Sequence, residues 1–372
     1  MTGVRGSARL MVVGGGPAGL AVAIEGRLRG LDVRVVDRRR PPIDKACGEG
    51  LMPDGLERLR GMGVELGDGD LRAFRGIRYV DGETRIEGRF PGGVAGAGIR
   101  RPRLHRAMVE RAEALGVVLD WGTRVLGLTV EGVTTERGDL GADVVVGADG
   151  LLSRVRRWAG VEAKPARRKR FGVRRHVALA PWTDLVEVHW SDHAEAYVTP
   201  VAPDEVGVAI LWRDRKARFD DLLGTFPELE ERLSGAEVVS RDRGAGPLRQ
   251  GVGSVVRGRV ALVGDASGYV DAITGEGLSM AFHQAAALAE AIAGGKLDDY
   301  RRLHRRIGRV PLALTELLLW LEGRPRLRRR AFRALAADPD LFERFLAVHC
   351  RAAAPMSLGP TAPRLLWGLV RS

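Results

Sequence analysis

The chain has 372 residues, enough to bury a large core and to form two interleaved domains. Its formal charge of +12 does not point to nucleic acid, because only five of the 59 basic residues are lysine and no aromatics interleave with the arginine clusters as a single-strand groove requires. Two cysteines, Cys47 and Cys350, are too few for a disulfide framework, and no apolar run reaches 18 residues, so a cytoplasmic chain without a transmembrane helix is expected.

Leu10 to Val13 reads as a short buried strand, followed by Gly14, Gly16 and Gly19 at G-x-G-x-x-G spacing. The first glycine permits a tight turn, the second lets a pyrophosphate approach the backbone, and the third lets the next helix close on the sheet. That helix, from about Pro17 through Ala18 to Arg29, offers free amides and the positive end of its dipole to phosphates. A second apolar strand, Val33 to Val36, ends at Asp37, 23 positions after Gly14, where a carboxylate accepts bonds from an adenosine ribose. Arg38 is grouped with it as a cofactor contact. The plain alternative is an ordinary βαβ turn with a solvated acid; strand, helix and acid together make dinucleotide binding the stronger reading.

Asp44 to Pro53 is a loop carrying Lys45 and Cys47, a helix follows near Pro53 to Arg60, and Ile77 to Phe90 reads as a hairpin grouped with the first cofactor-binding segments. Gly93 to Arg100 lacks the glycine spacing of a second nucleotide motif and reads as a loop. An apolar run then ends in Gly147-Ala148-Asp149-Gly150. Period-two alternation marks Val173 to Ala180, Leu185 to Trp190, Glu195 to Pro200 and Val206 to Trp212 as strands of an antiparallel sheet. The basic run Lys164 to Arg170 reads as a solvated face, with help to NAD(P)H phosphates the weaker option. Val260 to Val263 is another apolar strand, closing on Gly264 and Asp265. Thr274-Gly275-Glu276-Gly277 opens a helix to about Ala293, with Thr274 able to serve as N-cap. From Asp298 the chain reads as helices with stops near Pro311, Pro325 and Pro339, forming a tail over the substrate cavity. Contact of this tail with a membrane surface is the less favoured option. The histidines show no metal-ligand spacing, so no metal is assigned, and His283 is read as packing.

Taken together, these motifs resemble the flavoproteins that include the aromatic hydroxylases similar to p-hydroxybenzoate hydroxylase and the geranylgeranyl reductases. In that superfamily a Gly-Ala-Asp-Gly segment lies beside the FAD pyrophosphate; Gly147 to Gly150 match it, with Ser153 and Arg156 following in S-x-V-R form. A later Gly-Asp places its carboxylate on the ribityl chain, which Gly264 and Asp265 match. An arginine at the head of a helix also contacts FAD; Arg101 fits, with Arg100 competing. The resemblance, over about residues 8 to 295, implies FAD as cofactor and NAD(P)H as transient electron donor. Its FAD contacts are Gly14, Gly16, Pro17, Ala18, Gly19, Asp37, Arg38, Arg101, Asp149, Gly150, Gly264, Asp265, Gly275, Glu276 and Gly277. It implies an α/β fold: a Rossmann-like FAD-binding domain (three-layer ββα) over 1–165 and 250–297, an inserted antiparallel β-sheet substrate domain over 166–249, and a helical C-terminal cap over 298–372. Physical reasoning agrees, since a ribityl hydroxyl in a dry cleft needs an acceptor and a helix amino end stabilises negative charge on a reduced flavin.

The subclass is divided. Geranylgeranyl reductases carry Lys-x-Cys-Gly-Gly beside the flavin, and Lys45, Cys47 and Gly48 are similar to it, with Glu49 departing from the second glycine. Cys47 is therefore a tentative catalytic residue, with a small buried hydrophobe the equal alternative. Against a polyprenyl substrate, the reductases' Tyr-x-Trp-x-Phe-Pro segment is reduced here to Tyr197 and Pro200, the two substrate-contact candidates. The favoured expectation is NAD(P)H-dependent monooxygenation of a small apolar or aromatic metabolite. Double-bond reduction is the alternative, and a flavin-fold binding protein without turnover the minor one. The expected partner is a small-molecule substrate, with no nucleic acid.

Overall fold

The computed structural model describes residues 8–67, 69–163, 169–213 and 217–361. A six-stranded sheet runs in the order Val256–Arg257, Val260–Leu262, Val144–Gly147, Arg9–Val13, Asp32–Asp37 and Val118–Trp121. All its pairings are parallel except that of the first two strands. Such strands are buried on both faces, which is why they read as continuous apolar runs. Helices α1 (Pro17–Leu28), α2 (Pro53–Gly61) and α3 (Arg101–Ala114) contribute to the core on one face. A three-stranded sheet of Val125–Leu128, Gly132–Thr135 and Gly138–Gly141 packs with Met11, Val13, Val36 and Val145 on the other. Helix α4 (Arg154–Trp158) joins that second layer through Val155, completing a ββα sandwich.

The larger sheet has eight strands, with Arg170–Ala178, Glu205–Arg213, Ala194–Ala202 and Val186–Trp190 antiparallel at its centre. The hairpin Gly76–Asp81/Thr84–Arg89 belongs here and not with the FAD-binding sheet: Ile77 to Val80 pair in parallel with Val186 to His189. Helices α5 (Phe219–Leu223) and α6 (Pro227–Leu233) cover one face of this sheet. Its other face packs against the tail.

Helix α7 (Gly277–Ala293) lies on α1, and α8 (Asp299–Glu322), α9 (Pro325–Ala337) and α10 (Pro339–His349) complete the chain's helices among the described residues. Leu318, Phe332, Phe342 and Leu346 of the tail share one apolar cluster with Tyr79, Val188 and Trp190 of the large sheet. Pro325 and Pro339 open helices, but Pro311 stops none; it sits inside α8. A proline there leaves the carbonyl four residues back without a donor. Arg351 Nη2 supplies one to Ile307 O at 3.1 Å, so the helix continues.

Two further readings are corrected. Gly93 to Arg100 is not a loop, for Gly96–Ile99 is a buried strand between Gly50–Leu51 and Leu71–Phe74. The basic run is not a solvated face at Arg170, which is 7 % exposed and ion-paired with Glu195, Asp271 and Glu322 at 2.6, 2.9 and 3.2 Å. Positions 164 to 168 of that run lie outside the described residues. No helix among the described residues is long and apolar enough to cross a membrane.

Candidate functional site

Register explains why distant motifs meet. Val13 aligns with Val36 on one side and with Gly147 on the other, and Gly147 aligns with Leu262. The chain therefore leaves four parallel strands at one edge of the sheet, where ligands of such sheets bind. The residues that follow, Gly14, Asp37, Asp149 and Asp265, all line a single cavity of about 780 Å³.

At Gly14, with φ +112, a Cβ would lie 2.5 Å from Ala148 O, so the turn closes only on glycine. Gly16 differs: the nearest atom to a Cβ there is Arg101 Nη2 at 3.9 Å, leaving open space over the helix amides. The two oxygens of Asp37 accept the amides of Gly15 (2.7 Å) and Arg39 (2.8 Å), which fixes the turn and leaves lone pairs facing the cavity. Pro17, Ala18, Arg38, Gly150, Gly264, Gly275 and Gly277 are also on the wall. So is Arg101, at the head of α3, whose buried Nε has no partner among the described residues; Arg100 is ion-paired with Glu205 through Nη1.

Asp149 braces the start of α4, whose cap is Ser153, accepting from the Ser153 hydroxyl (2.5 Å) and the amides of Arg154 (2.7 Å) and Val155 (3.1 Å). Arg156, 1 % exposed, donates to Leu151 O and to the carbonyls of Asp265 and Ala266. One buried guanidinium thus holds the second motif against the third. Asp265 itself faces Lys45 Nζ at 3.2 Å across the cavity wall.

Four sequence candidates are repositioned. Gly19 stands off the wall, with its missing Cβ making room for Gly14 O. Pro200 also stands off, because strand alternation turns Tyr197 and Thr199 to the cavity and Pro200 toward Gly98, whose Cβ would lie 1.8 Å from Pro200 O. Helix α7 begins at Gly277, so Thr274 is not its cap; the Thr274 hydroxyl bonds Thr315 of α8 at 3.2 Å. Glu276 lies behind the wall, 3 % exposed, and burial pushes its carboxyl up to about 8 despite the nearby Arg351. His283 stands off the cavity wall, as its packing role implies, with its Nε2 on Asp54 Oδ2 at 3.0 Å.

Cys47 lines the cavity, its Sγ accepting the Glu49 amide at 3.3 Å. Glu49 has φ +59, the backbone a glycine would adopt without cost. Its 2 %-exposed carboxylate offsets that strain: it accepts the Arg101 amide at 2.8 Å, bonds His176 Nε2, and lies 3.7 Å from Arg174. Arg174 in turn donates to Asp44 Oδ1 at 2.6 Å. Arg174 and His176 were not singled out from sequence, although polar residues at alternate positions of a strand with a buried face were the available signal. His349 was also missed. It reaches the cavity from the end of α10, its Nε2 on Thr274 O at 3.1 Å, its Nδ1 without a partner among the described residues, and burial lowers it to about 4.

The FAD binding domain family matches residues 7–220, more than half the chain. This protein is a member of that family. A digeranylgeranylglycerophospholipid reductase of Methanosarcina acetivorans is 28% identical over 316 residues, covering 76% of this chain and 74% of its own. A menaquinone reductase of Mycolicibacterium smegmatis is 26% identical over 322 residues, covering 79% and 78%. Among solved structures, a flavoprotein/dehydrogenase from Cytophaga hutchinsonii superposes with a TM-score of 0.79 at 16% identity, covering 92% of each chain. A flavin-dependent brominase gives 0.78 at 19%, covering 92% and 93%. The chain is an FAD-dependent oxidoreductase of the p-hydroxybenzoate hydroxylase and geranylgeranyl reductase superfamily. The cavity fits FAD: open space over Gly16, the unpartnered Arg101 Nε, and open space at Gly275 beside the amino end of α7.

Proposed function

We propose that this flavoenzyme saturates a carbon–carbon double bond in a long apolar substrate, with NAD(P)H as the transient electron donor. The observation that carries this reading is the wall supplied by the large sheet and its neighbours. Ile77, Tyr79, Val186 and Val188 line the cavity from two adjacent strands, and Phe74, Leu211 and Leu248 extend that surface. An alkene offers no acidic proton, so its site needs dryness and shape more than an acid–base pair. The curated relatives, named as reductases and aligned over about three quarters of this chain, support the same class.

Bound FAD supplies the two-electron chemistry. Gly14, Gly16 and the amino end of α1 would hold its phosphates, Asp37 and Arg38 its adenosine end, Arg101, Asp149 and Gly150 the pyrophosphate region, and Asp265 the ribityl hydroxyls. The amino end of α7, bare at Gly275 and Gly277, would stabilise negative charge on the ring. The Tyr197 hydroxyl, donating to Ile273 O at 2.8 Å, ties the substrate sheet to the loop before α7. Saturation places a hydride on one alkene carbon and a proton on the other, and Cys47 is the group on the wall suited to hold that proton.

A second reading, oxygenation of a small apolar metabolite, is favoured by the departure of the Glu195 to Pro200 segment from the reductase pattern. Holoenzyme with NAD(P)H and a polyprenyl lipid under nitrogen distinguishes them. The proposal expects a product heavier by two hydrogens, formed without air. A product heavier by one oxygen, formed only in air, would overturn it.

A further inference from the structure

The solvent side of α8 is sorted along its length. Arg302, Arg305, Arg306 and Arg309 are exposed in its amino half. Leu312, Leu317 and Trp320 are exposed in its carboxyl half, at 39%, 44% and 46%. Positions 302, 306, 309, 313, 317 and 320 follow the helical period, so Arg302, Arg306 and Arg309 run on into Leu317 and Trp320 as one stripe, with Arg305 and Leu312 along its flank. Its acids are already paired: Glu316 with Arg249 at 2.8 Å, and Asp299 with Arg302 at 3.8 Å. Arg324 stacks 4.4 Å over Trp320, extending positive charge to the far end. Single exposed apolar residues need no explanation, but Leu317 and Trp320 on one stripe, with Leu312 on its flank and arginines at both ends, do.

We propose that this face of α8 docks on an anionic lipid surface. Charge complementarity selects the occupant. A nucleic acid would meet the arginines and leave Leu312, Leu317 and Trp320 in water, whereas the boundary between headgroups and acyl chains takes both halves together. Tryptophan suits that boundary because its ring is apolar and its N–H is polar. The opposite side of α8 carries Thr315, bonded to Thr274 on the cavity wall. Docking therefore holds the cavity about 10 Å, one helix diameter, from the lipid. The proposal does not depend on which reaction the flavin performs.

The test is sedimentation of the holoprotein with vesicles of phosphatidylcholine alone or with about 30 mol % phosphatidylglycerol, which supplies the negative surface. Binding to the anionic vesicles is expected, with at least about tenfold weaker binding to the neutral ones and in high salt. The triple variant Leu312→Ser/Leu317→Ser/Trp320→Ser and the double variant Arg305→Glu/Arg309→Glu should each lower binding about tenfold or more, with flavin spectrum and circular dichroism unchanged. Three results overturn the proposal: no binding to either vesicle, binding that both variants retain, or a dimer in solution that the triple variant dissolves while vesicles remain unbound. Duplex DNA or RNA bound as tightly as the anionic vesicles would also overturn it.

Discussion

Replacing Glu276 with Gln should make the protein more stable at alkaline pH and leave it unchanged at acid pH. Glu276 occupies the N-cap position of α7, where a helix dipole would favour the anion, yet its buried Oε2 has no partner among the described residues. Burial is the main cause of its rise from the usual 4.5 to about 8; Arg351 opposes the rise and Asp54 adds to it. Arg351 is itself shared with Asp54 at 3.3 Å, which limits what it offers Glu276. The folded protein thus keeps a proton that the unfolded chain has released, so stability from this group is complete below about pH 4.5 and drains away as pH rises to about 8. At about 1.4 kcal/mol per pH unit that window has a ceiling of about 5 kcal/mol, and relaxation of the carboxylate toward Arg351 should leave about 2–3 kcal/mol. Glutamine mimics the neutral acid and does not titrate. Urea unfolding of both proteins at pH 4 and pH 8.5, with FAD held constant, should give nearly equal stabilities at the lower pH and a gap of about 2–3 kcal/mol favouring the variant at the higher. A gap that is flat with pH, or one that favours the wild type at pH 8.5, would refute the reasoning.

Other substitutions separate holding the cofactor from holding the fold. Gly16→Val should leave secondary structure and unfolding midpoint of the FAD-free protein nearly unchanged while flavin absorbance is lost on purification, because its side chain enters open space where the pyrophosphate belongs. Gly14→Ala should instead cost about 3 kcal/mol or more in urea unfolding, from the clash with Ala148 O and the unfavourable φ. Arg351→Met strips Asp54 of an ion-pair partner and the Ile307 carbonyl of its donor, and a loss of about 2–4 kcal/mol is expected in the same assay. Arg170→Met leaves Glu195, Asp271 and Glu322 facing one another in the interior; about 3–5 kcal/mol should be lost at pH 7 and less at pH 5, where such acids take up protons more readily.

What was legible in the sequence was whatever has a local cause. The four strands ending at the cavity are apolar runs closed by glycine or aspartate, and each such ending has its own steric or hydrogen-bonding reason. Tertiary pairings were hidden. Nothing in Gly76 to Arg89 says which sheet it joins, because a hairpin satisfies its own register and leaves its outer edge free to pair elsewhere. Pro311 looked like a stop because proline removes a donor; the replacement donor, Arg351, lies 40 positions later. Glu49 looked like a simple departure from a glycine pair, since its partners Arg174 and His176 come from a strand more than 120 residues away. Tyr197 and Pro200 were paired from motif resemblance, and the two-residue period of the strand separates them.

The parallel match of Ile77–Val80 with Val186–His189 has a consequence for anyone recombining this scaffold. The substrate-facing sheet is woven from two stretches of chain lying on either side of the Asp149 motif, so it is no removable cassette. A chimera exchanging only 166–249 would strand the early hairpin beside a foreign edge, and an exchange that includes it must cut the polypeptide twice more. Such crossed threading also raises the sequence separation of the contacts that close the sheet, which slows its closure.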